Sequence, residues 1–147
     1  VARNAPPRRS SARPPADRDR LRGKHALIVE DNAAMRHGYA VILRDSWGMR
    51  TQVVEGTAAA RDAATRPDQP PDLILADYHL RGSDTGLRTI TLLRKLSGTE
   101  IPAIVVTAHR TASVVRSCAR HGVRVLEKPI RPEDLRDALL RLVGEQT

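Results

Sequence analysis

The chain has 147 residues, 40% of them hydrophobic and 2% aromatic, and a formal charge of +8. That length suits one domain with a real core plus a short appendage, and no apolar stretch is long enough to span a bilayer. Cys118 is the sole cysteine, which excludes an internal disulfide, and the Arg/Pro-rich start at Val1 contains no signal-peptide core, so a cytoplasmic chain is expected.

The charge is unevenly spread. Residues 1–24 hold eight Arg/Lys and two Asp, a net +6, whereas residues 25–147 hold seventeen Arg/Lys and fifteen Asp/Glu, a net +2. Tyr39, Trp47 and Tyr78 are too few to form a stacking platform for single strands. Phosphate contacts from the tail would be salt-sensitive and blind to sequence, so no specific nucleic-acid partner is expected.

Residues 1–22 are expected to be a flexible Arg/Pro-rich linker or tail. Pro6, Pro7, Pro14 and Pro15 block a helix there, and Arg, Ser and Ala offer little to bury. A start at Val rather than Met suggests a fragment of a larger protein, which could itself be membrane-anchored. Residues 23–147 are expected to form the folded domain. The first strand is expected at 25–30. A helix then runs over about 33–46, with Asn32 as its cap and Met35, Tyr39, Ile42 and Leu43 on one face. Gly48 stops it, and residues 50–54 form a second strand. Thr57 is expected to cap an alanine-rich helix that Pro67 terminates.

The third strand is expected over 72–76, around the apolar run Leu73-Ile74-Leu75-Ala76, too short for a helix and continuous rather than alternating, as in a strand buried on both faces of a parallel sheet. It ends in Asp77. A loop to Thr85 leads into a helix over about 86–96. A fourth strand over 102–106 ends at Thr107. A helix over about 111–120 follows, where Cys118 reads as a small buried side chain. The fifth strand, 123–126, leads through Glu127 to Lys128 and Pro129. Pro132 opens the last helix, with Glu133 and Asp134 favourable to its dipole.

Five strands alternating with five helices imply an α/β fold, a doubly wound parallel sheet with right-handed crossovers. All strand carboxyl ends then lie along one edge, where ligands bind. Glu30, Asp31 and Asp77 would converge there with Thr107 and Lys128. Three carboxylates so close do not all stay ionised unless a cation joins them, and a hard, oxygen-seeking ion such as Mg²⁺ fits. Metal and ammonium beside an anionic oxygen suit phosphoryl transfer, with Asp77 as nucleophile. A lone Asp or Lys after a strand is usually a turn or loop residue. Four such residues at four strand ends make a coherent set.

The segments Leu27-Ile28-Val29-Glu30-Asp31-Asn32, Leu73-Ile74-Leu75-Ala76-Asp77, Val105-Val106-Thr107-Ala108 and Glu127-Lys128-Pro129 resemble the receiver domains of two-component response regulators. The likeness covers residues 24–143. It implies a flavodoxin-like sheet with strand order 2-1-3-4-5 and a phosphoacceptor signalling module rather than an enzyme. By the same likeness, Asp77 accepts a phosphoryl group from the phosphohistidine of a histidine kinase or histidine phosphotransfer protein. Asp31, Asp77 and the main-chain carbonyl of His79 would ligate Mg²⁺, with Glu30 acting through water. Thr107 and Lys128 would bind the phosphoryl oxygens. His79 and His109, each two residues past a site residue, match positions that tune the phosphorylated lifetime. Output would leave through the fourth helix, fifth strand and last helix.

The stretch Asp77-Tyr78-His79-Leu80 with Gly86-Leu87 is similar to receivers fused to hybrid sensor histidine kinases. No output domain follows the last helix, so a transcription factor is not expected. Two departures stand out. Arg81 occupies a position that is often Pro, in a loop to Gly86 that is about one residue longer than is usual, and Val125 stands where Tyr or Phe is usual. Two other readings compete. An aspartyl-nucleophile phosphohydrolase would carry a second acid where His79 stands. A partner-binding module without phosphotransfer would have lost Asp77, Thr107 or Lys128.

Overall fold

The computed structural model describes residues 20–64 and 70–144. Within them five strands, β1 (His25–Val29), β2 (Arg50–Val54), β3 (Leu73–Asp77), β4 (Ala103–Thr107) and β5 (Arg124–Glu127), form one parallel sheet in the order β2-β1-β3-β4-β5. Five helices connect and follow them: α1 (Ala33–Val41), α2 (Thr57–Ala64), α3 (Gly86–Ser97), α4 (Ala112–Arg120) and α5 (Pro132–Gly144). The expected doubly wound fold is therefore borne out, including its strand order.

Side chains alternate across each strand, so the apolar runs supply two cores. Ile28, Leu75, Ile104 and Val106 face α1 and α5, meeting Leu43, Leu135 and Leu139. Leu27, Val29, Ile74, Ala76 and Val105 face the other way, toward Ala60, Ile90, Leu93, Val114 and Cys118. This is why β3 and β4 read as continuous apolar runs, while the outer strands β2 and β5 stay partly exposed. Cys118 is fully buried in the second layer, which pushes its thiol pKa up. It is a packing residue, as the sequence suggested.

Three expectations need correction. The tail was expected to reach residue 22, yet Leu21 is only 1% exposed and packs in the first core layer. Burying a leucine contributes about 1.5–3 kcal/mol, so the folded body begins before residue 23. The Gly23 N–H donates to the Gly48 carbonyl at 2.8 Å, and Arg50 Nε donates to the Gly23 carbonyl at 3.2 Å. Residues 1–19 lie outside the described residues, as does Pro67. Next, α1 does not stay α-helical to Ser46. It passes into a wider π-helical turn over Ile42–Ser46, which carries Leu43 into the core. Finally, Thr57 does not cap α2. It is the first helical residue, and its own N–H is capped by a carboxylate from another loop.

Candidate functional site

The sheet register brings the strand ends together. Val29 pairs with Ala76, Asp77 with Val106 and Thr107 with Glu127. Glu30 therefore emerges beside Asp77, and Lys128 leaves β5 beside Thr107, where its N–H donates to the Thr107 carbonyl at 2.8 Å. One carboxylate oxygen from each of Glu30, Asp31 and Asp77 lies within 4.8 Å of the others. Lys128 Nζ stands 3.2 Å from Asp77 Oδ2 and 3.8 Å from Glu30 Oε1. Of the five residues expected to converge, Glu30, Asp31, Asp77 and Lys128 bring their side chains together, while Thr107 ends the neighbouring strand β4.

The electrostatics follow from burial. Glu30 is 2% exposed. Its Oε2 accepts the Asn32 N–H at 3.1 Å, but its Oε1 is buried without a hydrogen-bond partner. Desolvation, with the nearby charge of Asp77 and against the Asn32 N–H and Lys128, pushes the Glu30 carboxyl up to about 7. Burial and the charges of Glu30 and Asp77 likewise push the Tyr39 phenol up to about 12, so this face of α1 feels the acid cluster. A close set of carboxylates with a buried oxygen that accepts no hydrogen bond is the donor chemistry that a hard divalent cation relieves. The residues present fit Mg²⁺ on that ground.

Thr107 is fully buried, and its hydroxyl is turned into its own loop. It donates to the His109 carbonyl and accepts the His109 N–H, both at 3.3 Å. His79 and His109 are both exposed. The His79 ring stands edge-on to Tyr78, with centroids 4.9 Å apart, and its backbone pairs with Thr85 in an isolated antiparallel bridge.

Two residues hold supporting roles that the sequence did not reveal. Arg36 Nη1 donates to the carbonyls of Glu30 at 2.9 Å and Asp31 at 3.2 Å, pinning the turn that carries both acids. Its signal was a cation one helical turn past the Asn32 cap. Asp84 does not join the acid cluster. Its carboxylate accepts the N–H and hydroxyl of Thr57 at 2.9 and 2.6 Å and the Thr85 N–H at 2.9 Å. Burial alone would raise the Asp84 pKa, but these hydrogen bonds and the charge of Arg88 outweigh it and hold the pKa below its ordinary value.

An acid cluster with a lysine at the carboxyl edge of a 2-1-3-4-5 sheet defines a flavodoxin-like α/β class with a candidate cation site, and the comparisons narrow it further. Residues 26–140 match the model of the response regulator receiver domain. The chain belongs to that family. It is 29% identical over 128 residues to the sensor histidine kinase GacS of Pseudomonas protegens, covering 84% of this chain and 14% of that protein. It is 32% identical over 113 residues to protein-glutamate methylesterase/protein-glutamine glutaminase 1 of Cereibacter sphaeroides, covering 74% of this chain and 29% of that one. The chain thus spans under a third of each curated relative. A solved response regulator receiver protein from Sinorhizobium medicae superposes with a TM-score of 0.74 at 20% identity, covering 86% of this chain and 99% of that one. The match within a sensor histidine kinase bears out the expected likeness to kinase-borne receivers. Among the described residues no helix is long and apolar enough to cross a membrane.

Proposed function

We propose that this chain is the phosphoacceptor module of a two-component phosphorelay. One observation carries the reading: Asp77 lies within 4.8 Å of two further carboxylate oxygens and 3.2 Å from the Lys128 ammonium, at the sheet edge where ligands bind. An Asp77 carboxylate oxygen attacks the phosphorus of a phosphohistidine. The new P–O bond forms as the P–N bond breaks, and the imidazole leaves with the electron pair. The donor is a histidine kinase or histidine phosphotransfer protein, which acts in the cytoplasm. The chain takes part in its own phosphorylation but does not turn over a separate substrate.

Asp31, Asp77 and the His79 carbonyl would hold Mg²⁺, with Glu30 contacting it through water. Bound there, the ion neutralises charge on the phosphoryl oxygens. Lys128 supplies a further positive charge, and Thr107 donates a hydrogen bond once its hydroxyl leaves His109. His79 and His109 flank the approach of a hydrolytic water and set the phosphorylated lifetime. The signal leaves through α4, β5 and α5.

Intact-mass measurement after exposure to a small phosphodonor with Mg²⁺ tests the reading. Wild type should gain one phosphoryl group, and chelation of Mg²⁺ should abolish the gain. Asp77→Asn keeps the shape but removes the anionic nucleophile, and should gain none. An equal gain at an equal rate in that variant would overturn the assignment.

A further inference from the structure

The loop of residues 77–86 is a small closed unit. The Gly86 N–H donates to the Tyr78 carbonyl at 2.9 Å, the Leu80 N–H donates to the Asp84 carbonyl at 3.1 Å, and His79 pairs with Thr85. Leu80 tucks into the second core layer, while Arg81, Gly82 and Ser83 are exposed. Leu80 anchors the unit in the core and the Tyr78 N–H donates to the Val106 carbonyl, while the Asp84 carboxylate ties it to α2. It caps the N-terminus of α2, which lies 27 residues earlier in the chain, and there the helix dipole favours an anion.

The approach is close. A Cβ on Gly56 would stand 3.0 Å from Asp84 Oδ2. The knot continues inward. Thr57 Oγ1 gives its proton to Asp84 and lies 2.7 Å from Thr89 Oγ1, so the Thr89 hydroxyl donates to Thr57. Thr89 is fully buried. A charged group, two hydroxyls and two backbone N–H groups are thus satisfied together, and such a network holds its members in one arrangement.

We infer that Asp84 is a positioning residue for the metal site: through Thr57 and Thr85 it fixes the 77–86 loop, and with it the His79 carbonyl. Asp84 touches neither metal nor phosphoryl group. The inference rests on the proposed Mg²⁺ site and names what keeps one of its ligands in place. Outer supports of this kind commonly matter to metal affinity almost as much as the ligands do.

The test measures Mg²⁺ affinity by titration and thermal stability without Mg²⁺, at a temperature where every variant is folded. Asp84→Ala should weaken Mg²⁺ binding by about tenfold. That variant also removes a charge, so Thr57→Val, which does not, is the deciding one. Thr57→Val should weaken Mg²⁺ binding by a smaller factor, and Thr57→Ser should restore it. If Thr57→Val and Asp84→Ala lower only the melting temperature and bind Mg²⁺ as wild type does, while Asp31→Ala does not, Asp84 is merely structural and the inference falls. If wild type and Asp31→Ala bind Mg²⁺ equally, the metal reading itself falls and takes the inference with it.

Discussion

Two loops flank Asp77, and they are built in opposite ways. The loop after β3, residues 77–86, is knotted by hydrogen bonds of 2.6–2.9 Å that the Asp84 carboxylate accepts and by the close approach of Gly86 to its base. The loop after β4, residues 108–111, is exposed throughout. Its contacts to the site are long: 3.3 Å between the Thr107 hydroxyl and His109, and 3.4 Å from the Arg110 N–H to Glu127 Oε2. Few buried contacts and weak hydrogen bonds mark a segment that opens at low cost. Under the proposed function, one side of the site would hold its ligands before a phosphoryl group arrives, and the other would respond when one does.

The largest effect should come from filling the base of the first loop. A Cβ on Gly86 would overlap the Asp77 carbonyl oxygen and lie 2.9 Å from Ala76 Cβ. Gly86→Ala should therefore destabilise the domain by about 3 kcal/mol, because backbone has to move. Gly82, at φ 69° with open space around it, is the contrast. Gly82→Ala should cost roughly 1 kcal/mol from the left-handed backbone alone. In the second loop, Ala108→Gly should cost about 0.5 kcal/mol through the unfolded chain. Urea midpoints at constant slope report all three. Equal shifts for Gly86→Ala and Ala108→Gly would erase the contrast between the loops.

Acid should loosen the first loop through Asp84. The Asp84 pKa lies below its ordinary value in the folded chain, so the unfolded chain binds the proton more tightly. The stability it contributes is complete above the unfolded pKa of about 3.9 and is lost as pH falls through the lower folded value. The difference in melting temperature between wild type and Asp84→Asn should stay level from neutral pH down to about 5, then shrink below about 4. A difference that vanishes by pH 6, or persists undiminished in strong acid, would mean that some other group holds the knot.

The fold and the converging residues were legible because each rests on a local pattern. Short apolar runs between turn residues mark β1, β3 and β4, and parallel topology then brings their ends together whatever the loops contain. What was missed depends on distance along the chain. The rule for a helix cap looks to the residue just before the first turn, so it chose Thr57 for α2. The group that caps α2 is Asp84, which pattern reading treats as a loop residue. Leu21 was hidden for a similar reason. A single leucine among arginines has no periodicity, and only the fold reveals that it joins the core layer that holds Leu43, Met49 and Leu139. Asp72 is a milder case. It lies just outside β3 and accepts the His25 N–H at 2.7 Å, fixing the entry of β1 against β3.

The smallest expected effect is the one that tests the contrast most directly. Phosphorylation at Asp77, as proposed, would add charge and acceptor oxygens there. Thr107 has one proton to donate, now directed at the His109 carbonyl. Turning it toward Asp77 breaks a 3.3 Å bond and frees residues 108–111 to follow. In receivers with an aromatic residue on the fifth strand, a ring would fill the vacated space. Here Val125 occupies that strand, half-buried against the second core layer and paired with Val105. It has no ring to swing and is stiff at its first torsion. The response should therefore be a population shift of the 108–111 loop and the start of α4, with Val125 nearly still and residues 77–86 held by their knot. Backbone and methyl NMR with and without a phosphoryl mimic should show changes at Ala108, His109, Arg110 and Thr111 that exceed those at Arg81, Gly82 and Ser83. Large changes at Val125 with none at 108–111 would mean that β5 carries the signal after all. Changes confined to Asp77, Asp31 and Lys128 would mean that the phosphoryl group is passed on without reshaping the surface.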